Sequence, residues 1–140
     1  MLSKKDLIEL LHSTQCSCVV ANEHSTLTFH ERGVKDLHRL LHDVSQPLQG
    51  AYIADKVVGK GAAALMIAGG VKGVYADVMS RAALSLFETS TTSVEYGTLV
   101  DNIINRAGTD ICPVEKLCKD CLTADECLPL ISKFIESMQR

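Results

Sequence analysis

Three cations stand at or beside two strand-to-helix junctions of this chain. Lys60 lies in Gly59-Lys60-Gly61, at the head of the apolar run AAALMIA; Lys56 lies just upstream, and Arg81 follows Ser80 at the head of AALSLF. A helix start already carries roughly half a positive charge, so a lysine there is disfavoured by about 0.3–1 kcal/mol unless an anion is present. Lys56, Gly59, Lys60, Ser80 and Arg81, with the free backbone N–H groups of both helix starts, therefore form a candidate site for a phosphate or carboxylate. The competing reading is that Lys60 and Arg81 keep exposed helix ends solvated, paired with Asp55 or Asp77. Asp55 is a candidate counter-ion or general base.

Cys112 could add nucleophilic chemistry. It precedes Pro113, with Glu115 at the third helical position, and a thiol capping a helix start has its thiolate favoured by the helix dipole. No histidine can be placed beside it from sequence, so a buried or capping cysteine is the competing reading. The polar loop Asn105, Arg106, Ala107, Gly108, Thr109 and Asp110 is a candidate lid. Asn105, Arg106, Asp110 and Glu115 complete the expected ligand-binding set, with Cys112 and Asp55 as the catalytic candidates. Cys112, Cys118, Cys121 and Cys127 form C-x5-C-x2-C-x5-C, which could serve zinc or an iron–sulfur cluster. Such sites usually use two close doublets and this run has one, so the expectation is thiols on the packed face of short helices, with no metal and no cofactor. His38 and His42 lie four apart in HRLLH without the glutamate of a zinc protease, and read as exposed helix positions.

The elements that must position these residues follow from periodicity and caps. Ser3 caps a helix with Leu7, Leu10 and Leu11 on one face. Two β-rich runs, 16–21 and 26–30, flank the polar tetrad Asn22-Glu23-His24-Ser25 and predict a hairpin. From Gly33, the residues Val34, Leu37, Leu40, Leu41 and Val44 recur at helical spacing. Strands are expected at 51–57, 73–79 and 92–96, with helices at 58–68, buried all round, and at 80–87, capped by Ser80. After Leu99 the chain reads as helical again, interrupted by the Asn105–Asp110 loop. The last helix starts at Thr123, which with Glu126 fits a reciprocal capping box.

Hairpin strands are antiparallel and crossover strands parallel, so this order predicts an α/β fold, three layers α-β-α around a mixed five-stranded sheet. At 140 residues the chain is expected to be a single domain over 1–140, with an N-terminal helix at 1–14 and C-terminal helices at 113–140. A net charge of −3 with no block of like charge points away from nucleic acid. No apolar run reaches membrane-spanning length, and the N-terminus lacks a signal peptide's apolar core, so the expectation is a cytoplasmic protein not associated with membranes.

The strings DKVVGKGAAALM, GGVKGVYADVMS, VEYGTLV and NRAGTDICPVEK resemble the domain of unknown function 1893 family, uncharacterised small prokaryotic proteins with a cytidine-deaminase-like fold. The resemblance covers Leu27 to Lys116. It implies that fold and a cleft between the helix starts at Gly59 and Ser80, and by analogy self-association as a homodimer or higher homo-oligomer; it implies no activity. Zinc deaminases place a His or Cys ligand at the first helix start and a Pro-Cys-x-x-Cys pair at the second. Here those positions hold Val58-Gly59-Lys60-Gly61 and Met79-Ser80-Arg81-Ala82-Ala83, which provide no such ligands. The expected function is therefore a metal-free, deaminase-like domain binding an anionic or nucleotide-like small molecule. The alternative is a hydrolase or transferase using Cys112 or Asp55 in the same cleft.

Overall fold

The computed structural model describes residues 2–31, 34–105 and 107–138. Arg106 and Gly33, both named above, lie outside the described residues. The elements are α1 (Lys4–Ser13), β1 (Cys18–Ala21), β2 (Thr26–Phe29), α2 (Lys35–Leu41), β3 (Tyr52–Val58), α3 (Lys60–Gly69), β4 (Gly73–Ser80), α4 (Arg81–Glu88), β5 (Ser93–Val100), α5 (Pro113–Leu117) and α6 (Ala124–Met138).

The five strands form one mixed sheet in the order β2-β1-β3-β4-β5. The β1–β2 hairpin turns at Asn22, whose side-chain oxygen accepts from the backbone N–H groups of His24 and Ser25. β1 pairs antiparallel with β3, while β3, β4 and β5 are mutually parallel, so the helices between them must cross over. α1 buries Leu7 and Leu11 on one face of the sheet, against Val19, Ala21 and Ala54. The other face carries the larger core, built from α2, α3, α4 and α6. α3 lies at its centre with Lys60 through Met66 all buried, which explains a helix made of Gly, Ala, Leu and Met: small residues let neighbours approach from several sides.

Several boundaries differ from the sequence reading. β5 runs on to Val100 and is followed by turn and bridge rather than helix, because Val78, Met79 and Ser80 of β4 pair with Thr98, Leu99 and Val100. Ile104 and Ile111 then form an isolated antiparallel bridge that closes the Asn105–Asp110 loop. α2 stops at Leu41, and Val44, expected on its buried face, is 99% exposed. Among the described residues no helix is long and apolar enough to cross a membrane.

Candidate functional site

The two helix starts, α3 at Lys60 and α4 at Arg81, meet at one carboxyl. It is internal. The Glu115 carboxyl, 5% exposed, reaches in from the first turn of α5. Its Oε1 accepts from the Lys60 backbone N–H at 2.8 Å and from Ser80 Oγ at 3.0 Å, and its Oε2 accepts from the Ile103 N–H at 2.6 Å. Ser80 Oγ in turn accepts from the Ala83 N–H, capping α4. One carboxyl thus satisfies a donor of α3, the cap of α4 and the segment after β5, and places negative charge at the positive end of α3.

Pro113 starts α5 two residues ahead, and close approach at Gly59 makes room for the carboxyl: a Cβ there would lie 3.2 Å from Glu115 Oε1 and 3.1 Å from Ile103 Cγ1. The same packing leaves no space at Gly61, whose added Cβ would lie 2.3 Å from Val114 Cγ1.

The cations are employed elsewhere. Lys60 is only 7% exposed and its Nζ donates to the carbonyls of Lys119, at 3.1 Å, and Cys121. Its side chain therefore braces the turn between α5 and α6. Arg81 is exposed and pairs through Nε with Asp101 at 2.9 Å, while Asp77 accepts from Tyr75 and pairs with His12. Neither aspartate offered as an alternative partner, Asp55 or Asp77, holds Lys60 or Arg81. The donors converging on the helix starts are N–H groups and a hydroxyl already bonded to a carboxyl, a set that repels rather than ligates a cation.

The open space lies beside this junction. A cavity of about 350 Å³ is walled by the first turn of α3, Ile103, Val114 and the C-terminal part of α6 including Phe134, with Asn105 and Lys35 among its polar lining residues. Cys112, partly exposed, also lines it. Asn105 is engaged within its own loop, its side chain accepting from the Thr109 N–H at 3.1 Å and donating to Thr109 Oγ1 at 3.2 Å. Asp110 pairs with Lys116 at the surface, which holds its carboxyl below the ordinary range. The expected lid is thus a loop braced across its own base.

Asp55 faces a different space. Burial is the main cause that raises its carboxyl from 3.8 to about 7, against hydrogen bonds from the N–H groups of Val57 and Lys56 and the Cys18 thiol. Its adjoining cavity, about 330 Å³, also takes in Lys56, Cys18 and Asp36 and shares Glu31 and Val57 with the first. Cys18 sits directly across from Asp55 in the β1–β3 register, and burial with the neighbouring carboxyl pushes its thiol up. Asp55 and Cys112 therefore line neighbouring cavities rather than one cleft. Among the described residues no group of three or more His, Cys, Asp or Glu is arranged to hold a metal ion.

The fold and the junction define an α/β domain in which an internal carboxyl joins two crossover-helix starts beside an apolar cavity. The chain belongs to the family described as a domain of unknown function (DUF1893), which matches residues 6–135. Its fold is similar to the crystal structure of a DUF1893 family protein (TM1506) from Thermotoga maritima, with a TM-score of 0.84 at 22% identity over 95% of this chain and 92% of that one. No curated protein matches the sequence.

Proposed function

We propose that the protein binds a small organic molecule in the cavity beside the start of α3, and does so without zinc-dependent deamination. The observation that carries this reading is a largely apolar cavity of about 350 Å³ next to a helix junction whose charge is already balanced from within. That volume falls in the range of ordinary ligand sites, and the cavity opens at the C-terminal end of β3, where open α/β sheets bind their ligands. The apolar wall of Ile103, Val114 and Phe134 suits a flat ring. Lys35, exposed and without an ion pair among the described residues, suits an anionic tail. An anionic or nucleotide-like ligand remains the best-fitting class, recognised by Lys35 rather than by Lys60 and Arg81.

The probe 1-anilinonaphthalene-8-sulfonate combines a flat apolar body with one negative charge. It should bind with a saturable, single-site fluorescence rise and be displaced by nucleoside monophosphates better than by the matching nucleosides. Lys35→Glu should weaken it about fivefold or more, the worth of roughly 1 kcal/mol. An unsaturable titration, or one indifferent to Lys35→Glu, contradicts the reading.

A second reading is favoured by Cys112 lining the same cavity, where its thiol could attack a bound electrophile. Alkylation of Cys112 faster than free cysteine, together with loss of turnover but not of binding in Cys112→Ser, would select the enzyme over the binding module.

A further inference from the structure

Behind the Lys60 ammonium lies a thiol cluster that the cavity does not use. Cys118 and Cys127 have no solvent exposure, whereas Cys121 is partly exposed. The Cys127 sulfur is the middle member: it neighbours both Cys118 and Cys121 closely enough to shift their thiols, and its own thiol donates to the Thr123 carbonyl at 3.5 Å. Cys118 and Cys121 bracket one turn, closed by the Cys121 N–H donating to the Cys118 carbonyl at 3.0 Å, and Cys127 faces that turn from the first part of α6. Lys60 is bonded to the same turn through the carbonyls of Lys119 and Cys121, so any change in that turn bears on the Lys60 anchor. Accepting from Cys127 pulls the Cys118 thiol below its ordinary range, whereas those of Cys121 and Cys127 are raised.

We propose that Cys121 and Cys127 are a thiol–disulfide site, oxidised by peroxide entering at Cys121, and that the bond alters the turn on which Lys60 is anchored. The chemistry closes within the named partners. Cys121 attacks hydrogen peroxide, the O–O bond breaks, one oxygen leaves as water and the other remains as the sulfenic acid. The Cys127 sulfur then attacks the Cys121 sulfur; the S–S bond forms, the S–O bond breaks, and the hydroxyl departs with the Cys127 proton as a second water. Two thiols lose two electrons and two protons, and one peroxide becomes two waters. Cys121 is the entry because, of the three clustered thiols, it alone meets solvent. The consequence for ligands rests on the cavity reading, since the Lys60 backbone N–H holds Glu115 and both residues line that cavity.

The full chain, treated with hydrogen peroxide and then alkylated and digested with trypsin, tests the bond without any ligand. Cys121 and Cys127 fall in one tryptic peptide, residues 120–133, and Cys118 falls in another, residues 117–119. The expected product is peptide 120–133 lighter by two hydrogens, reversible by dithiothreitol. It should be absent in Cys121→Ala, a substitution at a partly exposed position that circular dichroism should show to be folded, and also in Cys127→Ser. A cross-link between peptides 117–119 and 120–133, pairing with any other cysteine, or no mass change at all overturns the site. The oxidised protein should bind 1-anilinonaphthalene-8-sulfonate about fivefold more weakly than the reduced one. If the disulfide forms and affinity does not change, the coupling to Lys60 is wrong although the bond is right. If neither form binds the probe, the cavity reading fails and the disulfide stands.

Discussion

Glu115 makes a prediction that separates its structural role from a ligand-contacting one. Glu115→Ala leaves the Lys60 and Ile103 N–H groups and the Ser80 hydroxyl buried without their acceptor, and should cost about 3–5 kcal/mol in urea unfolding. A purely ligand-contacting glutamate would cost little in the unliganded protein. Asp55 makes a second prediction. Its folded value of about 7 exceeds its unfolded value of 3.8, so between these the folded protein holds a proton that the unfolded chain has released. That contribution is fully present below about pH 4 and is lost as pH rises through 7. Asp55→Asn, which cannot ionise, should therefore exceed the wild type in stability at pH 8 by about 1–3 kcal/mol, with the gap closing towards pH 4 in parallel denaturant titrations. A constant difference across that range would show that Asp55 does not titrate as buried.

Among the elements, α3 is the most demanding. Gly61→Ala drives a methyl into Val114 Cγ1, and should destabilise by about 1–3 kcal/mol even though alanine is the better helix former. Thermal unfolding of this variant beside Gly50→Ala separates packing from backbone: Gly50 has open space around an added methyl, but a φ of +68° that strains any side chain. Local signals were legible at this scale. Ser3 and Ser80 accept from the N–H groups of Asp6 and Ala83 as caps, and Thr123 accepts from the Glu126 N–H, but the Glu126 carboxyl takes the Leu122 N–H rather than that of Thr123, so the reciprocal half of the capping box is shifted by one residue. The sequence alone ends β5 at residue 96 because its exposed residues lack a hydrophobic alternation, whereas its length to Val100 is set by pairing with β4, which no local pattern encodes. The sequence marks Lys60 as a lysine at a helix start that wants an anion, but the ammonium turns to carbonyls 59 and 61 residues away, and the anion at that helix start, a glutamate 55 residues away, is held by the Lys60 backbone N–H instead. Spacing could place Glu115 in the first turn of α5 but not across the two other helix starts.

At the scale of the whole molecule, two crossover helices deliver their N-terminal ends to the C-terminal edge of the parallel strands, the usual ligand edge of such sheets. Glu115 closes the charge there, α5 and α6 fold over it, and the space left between them and α2 is the apolar cavity. A separate space of about 300 Å³ on the opposite side of the sheet, beside α1 and lined by Lys4, Tyr75 and Glu95, provides an internal control. Amide chemical-shift mapping during titration with 1-anilinonaphthalene-8-sulfonate measures the claim directly. The largest shifts should fall on Ile103, Cys112, Val114 and Phe134 and saturate together. Shifts centred on Tyr75 and Glu95, or spread without saturation, would contradict it.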